Sequence, residues 1–109
     1  MADLGGGVFV SRVDSDDFAP DADVGGYTML LTTGGDEVAG MWKPETGHTY
    51  AGHVLPARET IVVVSGTVRI DVDAGPTLDL RAGDIASMPA GAVTTWYPSP
   101  DFREVWVYS

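Results

Sequence analysis

From Tyr27 to the C-terminus the chain consists of short runs rich in Val, Ile, Thr and aromatic residues, each ended by Gly, Asp or Pro. Such runs read as β-strands, because β-branched and aromatic side chains suit a pleated, half-buried surface and the punctuating residues suit turns. The pattern predicts strands over 27–32, 38–43, 59–64, 67–72, 77–80, 85–88, 93–97 and 103–108. No window of helical length carries apolar residues at i, i+3, i+4 and i+7 without an interrupting Gly or Pro, so helix is expected to be nearly absent. Ser65-Gly66, between two strong runs, predicts a tight hairpin. Asp73-Ala74-Gly75-Pro76, Arg81-Ala82-Gly83-Asp84 and Pro89-Ala90-Gly91 predict further corners. Many short strands joined by glycine turns indicate an all-β sandwich or a closed jelly-roll barrel, in which closure removes exposed strand edges.

Residues 1–26 differ from the rest, holding Asp14, Asp16, Asp17, Asp21 and Asp23 with Pro20 among them. They read as an N-terminal arm or edge segment ahead of one barrel domain at 27–109, and their acidic cluster as a solvated face. A chain of 109 residues has room for a modest core and no second catalytic domain. Six Lys plus Arg against 16 Asp plus Glu give a net charge of -10, which argues against nucleic acid or an anionic membrane as partner. With no cysteine, disulfide frameworks, thiolate zinc sites and cysteine nucleophiles are excluded. No stretch approaches the roughly 18 apolar residues of a membrane span, and the start lacks a signal-peptide pattern, so a cytoplasmic protein is expected.

Two spacings carry chemistry. Gly47 to His53 and Glu59 to Gly66 read G-x5-H then E-x6-G, and Gly83 to Gly91 reads G-x5-P-x-G. Together they resemble the double motif of the cupin superfamily, over roughly residues 40–108. Gly40-Met41-Trp42 before the first motif, Trp96 after the second and a closing strand at 103–108 make the chain most similar to small single-domain cupins of the ureidoglycine aminohydrolase and ethanolamine-utilisation type. The resemblance implies a double-stranded β-helix, a pocket in the barrel mouth and a metal held there by three histidines and a glutamate. It places His53 at the first histidine and Glu59 at the glutamate, but Leu55 at the second histidine and Thr94 at the third. Catalytic metal sites need about three protein donors, and neither leucine nor threonine serves well, so a metal-free pocket is expected. The alternative is a divalent metal at His53 and Glu59, completed by His48 or water.

Within that frame His53 and Glu59 are the candidate catalytic pair, facing the lumen together and titrating as coupled groups. Trp42, Tyr50, Met88, Thr94 and Trp96 are the candidate ligand-binding residues, the indoles as stacking surfaces and Met88 chiefly as filler. The function expected is proton-transfer chemistry of isomerase, lyase or hydrolase type on a small polar metabolite. The alternatives are a non-catalytic small-molecule binding module or a metal enzyme with an unusual ligand set. A homodimer is expected, because the arm can extend a neighbour's sheet and Phe102, Trp106 and Tyr108 alternate on one apolar face of the last strand.

Overall fold

The computed structural model describes residues 1–32 and 38–109, and among these it has strands and no helix. Strands β1 (Ala2–Gly5) and β2 (Val8–Val10) form a small separate hairpin. Strands β3 (Ala19–Pro20), β4 (Tyr27–Leu30), β5 (Ala39–Lys43), β7 (Glu59–Ser65), β10 (Ile85–Met88) and β12 (Arg103–Tyr108) build an antiparallel sheet in the order β10-β7-β12-β5-β4-β3. Strands β6 (Tyr50–Val54), β8 (Thr67–Val72), β9 (Thr77–Arg81) and β11 (Val93–Pro98) build a second, in the order β6-β11-β8-β9. No helix among the described residues is long and apolar enough to cross a membrane.

The two sheets enclose one core, and strict alternation decides what enters it. Strand β7 turns Glu59, Ile61 and Val63 inward, β8 turns Val68 and Ile70, and Phe102, Glu104 and Trp106 follow the same phase into β12. Leu55, Ile61, Val63, Val68, Ile70 and Phe102 are fully enclosed, each contributing about 1.5–3 kcal/mol relative to an exposed side chain. The face of Phe102, Trp106 and Tyr108 therefore belongs to the chain's own interior, not to a partner as expected.

Ser65-Gly66 is also not a hairpin. Both edges of β7 are taken, by β10 and β12, so β8 joins the opposite sheet and the turn carries the chain across the sandwich. Gly66 adopts a φ of +68°, and a Cβ there would lie 2.5 Å from the Ser99 hydroxyl and 2.7 Å from the Phe102 nitrogen. Strand β6 lies outside the predicted runs, its 50–54 sequence lacking a β-branched stretch and containing Gly52.

The arm folds back on its own barrel. Strand β3 extends the sheet beside β4, and the Arg103 guanidinium donates to the carbonyls of Val13 and Ser15 and to Asp16. Phe18 lies under both Lys43 and Arg103, and the Ser11 hydroxyl approaches the Met29 sulfur on the outer face of β4.

At Gly40 on β5 an added Cβ would lie 2.6 Å from the Met29 carbonyl oxygen and 2.7 Å from the Trp106 ring. Gly83, at a φ of +96°, faces open space. Gly40→Ala is expected to destabilise the fold by about 1–3 kcal/mol through overpacking. Gly83→Ala should cost only the strain of its backbone, about 1 kcal/mol. Urea denaturation of the two variants checks the order.

Candidate functional site

At one end of the sandwich the packing leaves a cavity of about 450 Å³, including its open mouth. Its wall is aromatic: Trp42 from β5, Tyr50 from β6, Trp96 from β11, and Trp106 and Tyr108 from β12. The rings hold one another edge-on, with Trp42 5.0 Å from Tyr50 and 6.3 Å from Trp96 between centroids. Two of the three indole N–H groups are spent on the protein, Trp42 Nε1 donating to the Gly25 carbonyl at 2.9 Å and Trp96 Nε1 to Thr94 Oγ1 at 2.8 Å. Both rings are thereby fixed with apolar surface toward the cavity.

Into this wall project His53, Glu59, Glu104 and Asp21. His53 enters from β6, where the register with β11 shifts between Thr94 and Trp96 and Gly52 takes a φ of +68°. That irregularity lets Tyr50 and His53, three apart in sequence, both turn toward the cavity. Burial holds the His53 imidazole below its ordinary value, opposed by the Asp21 carboxylate, which draws it back up. Asp21 closes a turn of its own, accepting from the Asp23 and Val24 N–H groups and, through its other oxygen, from the Thr28 hydroxyl at 2.7 Å.

Glu59 opens β7 and Glu104 opens the inward face of β12, and the two are only 4% and 3% exposed. Burial pushes the Glu59 carboxyl up to about 7. Burial, with the charge of Glu59, pushes Glu104 well above the carboxylate range. Among the described residues, Oε2 of Glu104 has no hydrogen-bond partner. The Tyr108 phenol rises to about 12 from burial and from the carboxylates of Glu59, Glu104 and Asp21. The acid therefore titrates against a second acid, whereas the sequence led us to expect His53 as its coupled partner.

Of the residues singled out from sequence, His53, Glu59, Trp42, Tyr50 and Trp96 line the cavity. Met88 and Thr94 lie behind its wall. Met88 is in the core opposite Glu59 on β10, and the fully buried Thr94 hydroxyl is engaged by the His53 carbonyl and Trp96 Nε1. Sequence reasoning missed Glu104, Asp21 and Tyr108 as site groups. Glu104 carried a usable signal, being in phase with Phe102 and Trp106; Asp21, in an irregular loop, carried none.

The superfamily's metal position can be tested on the donors themselves. Leu55 is buried and offers no lone pair, Thr94 Oγ1 is already committed, and His48 sits outside the cavity 3.7 Å from Glu45. Among the described residues no three His, Asp or Glu side chains converge as a metal site requires. The residues present do not fit the four-donor site.

The raised carboxyls tie stability to pH. Glu59 binds its proton more tightly folded than unfolded, so its contribution is complete below about pH 4.5 and is lost as pH rises through about 7. For Glu59 alone the loss amounts to roughly 3 kcal/mol. Urea midpoints measured from pH 4.5 to 8 should fall, and Glu59→Gln or Glu104→Gln should flatten that fall.

The family model of the EutQ-like cupin domain matches residues 31–104. The solved structure of a putative ethanolamine utilization protein Q from Salmonella typhimurium superposes with a TM-score of 0.69 at 20% identity, covering 84% of this chain and 76% of that one. The EutQ protein of Clostridium difficile superposes at 0.63 with 26% identity, over 81% of this chain and 65% of that one. The DMSP lyase DddQ from Ruegeria pomeroyi superposes at 0.56 with 22% identity, over 65% of this chain but only 37% of its own. No curated protein matches the chain in sequence. With a jelly-roll of two facing sheets and a family match over most of its length, the chain belongs to the EutQ-like cupin domain family.

Proposed function

We propose that the cavity takes up a small polar metabolite and moves a proton on it without a metal, His53 acting as base and Glu59 as acid. The observation that carries this reading is the opposite displacement of two proton-binding groups in one small cavity. Burial favours neutral imidazole at His53, while Glu59, with a value of about 7, retains its proton in about half of the molecules at neutral pH. A base and an acid are thus available together where aromatic walls limit water. That pairing suits isomerisation and elimination, in which the base takes a proton from one atom and the acid gives one to another, and hydrolysis, in which the base takes it from water and the acid gives one to the leaving group. On the same reading the protein works in the cytoplasm on a dissolved metabolite.

Solvent hydrogen exchange tests the reading. The protein is incubated in D2O at neutral pD with dihydroxyacetone and other small neutral carbonyl compounds, and deuterium entry is followed by NMR. Catalysed exchange with at least one of them is expected, and His53→Ala or Glu59→Gln should lower it about 100-fold or more with the fold intact. Binding of such compounds without exchange would identify a binding module instead.

For the oligomeric state we propose a homodimer through the outer face of the six-stranded sheet. Ile85, Val62 and Val105 form a cross-strand apolar row there, continuous with Met41 and Met29 at the arm-covered end. Ile85 is 69% exposed. Light scattering should give twice the chain mass, and Ile85→Glu with Val105→Glu should give the monomer.

A further inference from the structure

Among the described residues the cavity gathers acids and no cation. Asp21, Glu59 and Glu104 face it as acids, with His53 held toward neutrality and Tyr108 a protonated phenol. None of the six Lys and Arg residues lines it. Lys43 and Arg103, the cations on the strands that build the wall, point to the opposite face and are occupied by Phe18 and Asp16.

The acids do not have equal roles. Both oxygens of Asp21 are occupied by Asp23, Val24 and Thr28, so it contributes only its field. Glu104 is 3% exposed, and its Oε2 has no partner among the described residues. A buried carboxyl with a free oxygen is destabilising, and an apolar side chain of similar size would serve the core better. A buried carboxyl with no countercharge beside it favours a ligand that supplies one.

The wall narrows the choice further. Trp42 and Trp96 have their N–H groups tied back and offer ring surface, and Trp106 adds a third ring to the lining. Ring faces attract cations and repel anions. The cavity measures about 450 Å³ only when its open mouth is included, so its enclosed part admits only a small group.

We infer that the cavity is a receptor for a small aliphatic ammonium ion, whose N–H groups meet the carboxylates of Glu104 and Glu59 while its alkyl part lies against Trp42, Trp96 and Trp106. The inference rests on the reading of this cavity as a ligand site and does not depend on the proton transfer proposed above. Two neighbouring buried acids resist ionising together, and an entering ammonium removes that resistance. Uptake of the cation should therefore release a proton to solvent, with Tyr108 remaining a protonated phenol.

Calorimetric titration of the whole protein with butylammonium chloride tests this, alongside butan-1-ol, sodium butyrate and sodium chloride. Butylammonium should bind at least about tenfold more tightly than either organic control, and below pH 7 its affinity should rise by up to about tenfold for each unit that the pH is raised, as the displaced proton becomes easier to lose. Repeating the titration in buffers of different ionisation enthalpy reads the released proton directly. Glu104→Gln should weaken butylammonium by about tenfold or more while leaving butan-1-ol unchanged. In case that variant folds poorly, a thermal shift of the unaltered protein by butylammonium and not by butan-1-ol gives the same answer. Equal or tighter binding of butyrate or butan-1-ol, or no saturable binding of butylammonium at millimolar concentration, would overturn the inference. Because the exchange assay uses neutral compounds, failure there leaves this test standing, and failure here leaves that one.

Discussion

Strand β12, the last in the chain, is the member on which both the larger sheet and the cavity depend. It lies between β7 and β5, pairing Val105 with Val62 on one side and with Met41 on the other. Without it the six-stranded sheet would split into two parts joined only through the core. The inward face of the same strand, with the adjoining Phe102, supplies an apolar base at Phe102, an acid at Glu104, and aromatic wall at Trp106 and Tyr108. Fold and site thus share one element. Its pairings span much of the chain, so each closes a long loop at an entropic cost.

The acids on β7 and β12 set the main tension in the structure. Two carboxyls behind aromatic rings, with no cation beside them, cannot be explained as stabilising contacts. The fold resolves the conflict by keeping protons on them, which is the physical content of Glu59 at about 7 and Glu104 higher still. A domain of this size has only about 5–15 kcal/mol of net stability. Several kcal/mol held in one corner are therefore a large share, tolerated because the enclosed residues from Leu55 to Phe102 anchor the rest. The same arrangement makes the cavity responsive to whatever enters it, since a ligand that relieves the conflict binds and stabilises together.

Much of the barrel was legible because alternation is a strong signal in strands with one buried face. Runs such as Thr60 to Val64 and Val68 to Val72 announce strands on their own. Which strands pair is a different matter. The turn at Ser65-Gly66 has the residues of a hairpin, yet competition from β10 and β12 for the edges of β7 sends the chain to the other sheet. Tertiary pairing overrides local turn chemistry there. In the site, His53 and Glu59 were found through motif spacing, and Glu104 was hidden by reading the last strand for its apolar residues alone. Asp21 reaches the cavity only because the arm folds against its own barrel, a placement for which its acidic sequence gives no cue.

The position at which related cupins are expected to hold a third histidine has here become a strut. Thr94 Oγ1 donates to the His53 carbonyl at 2.8 Å and accepts from Trp96 Nε1 at the same distance, tying β11 to β6 and setting the angle of one indole. Leu55, at the second histidine position, adds apolar volume behind the same wall. Both changes replace donors with groups that keep water and ions out of that side of the barrel. A drier wall lowers the local dielectric, and a lower dielectric strengthens every charge interaction at Glu59 and Glu104. The barrel interior around the two acids is thereby apolar on that side, which is the setting in which burial raises the proton affinity of Glu59 and Glu104.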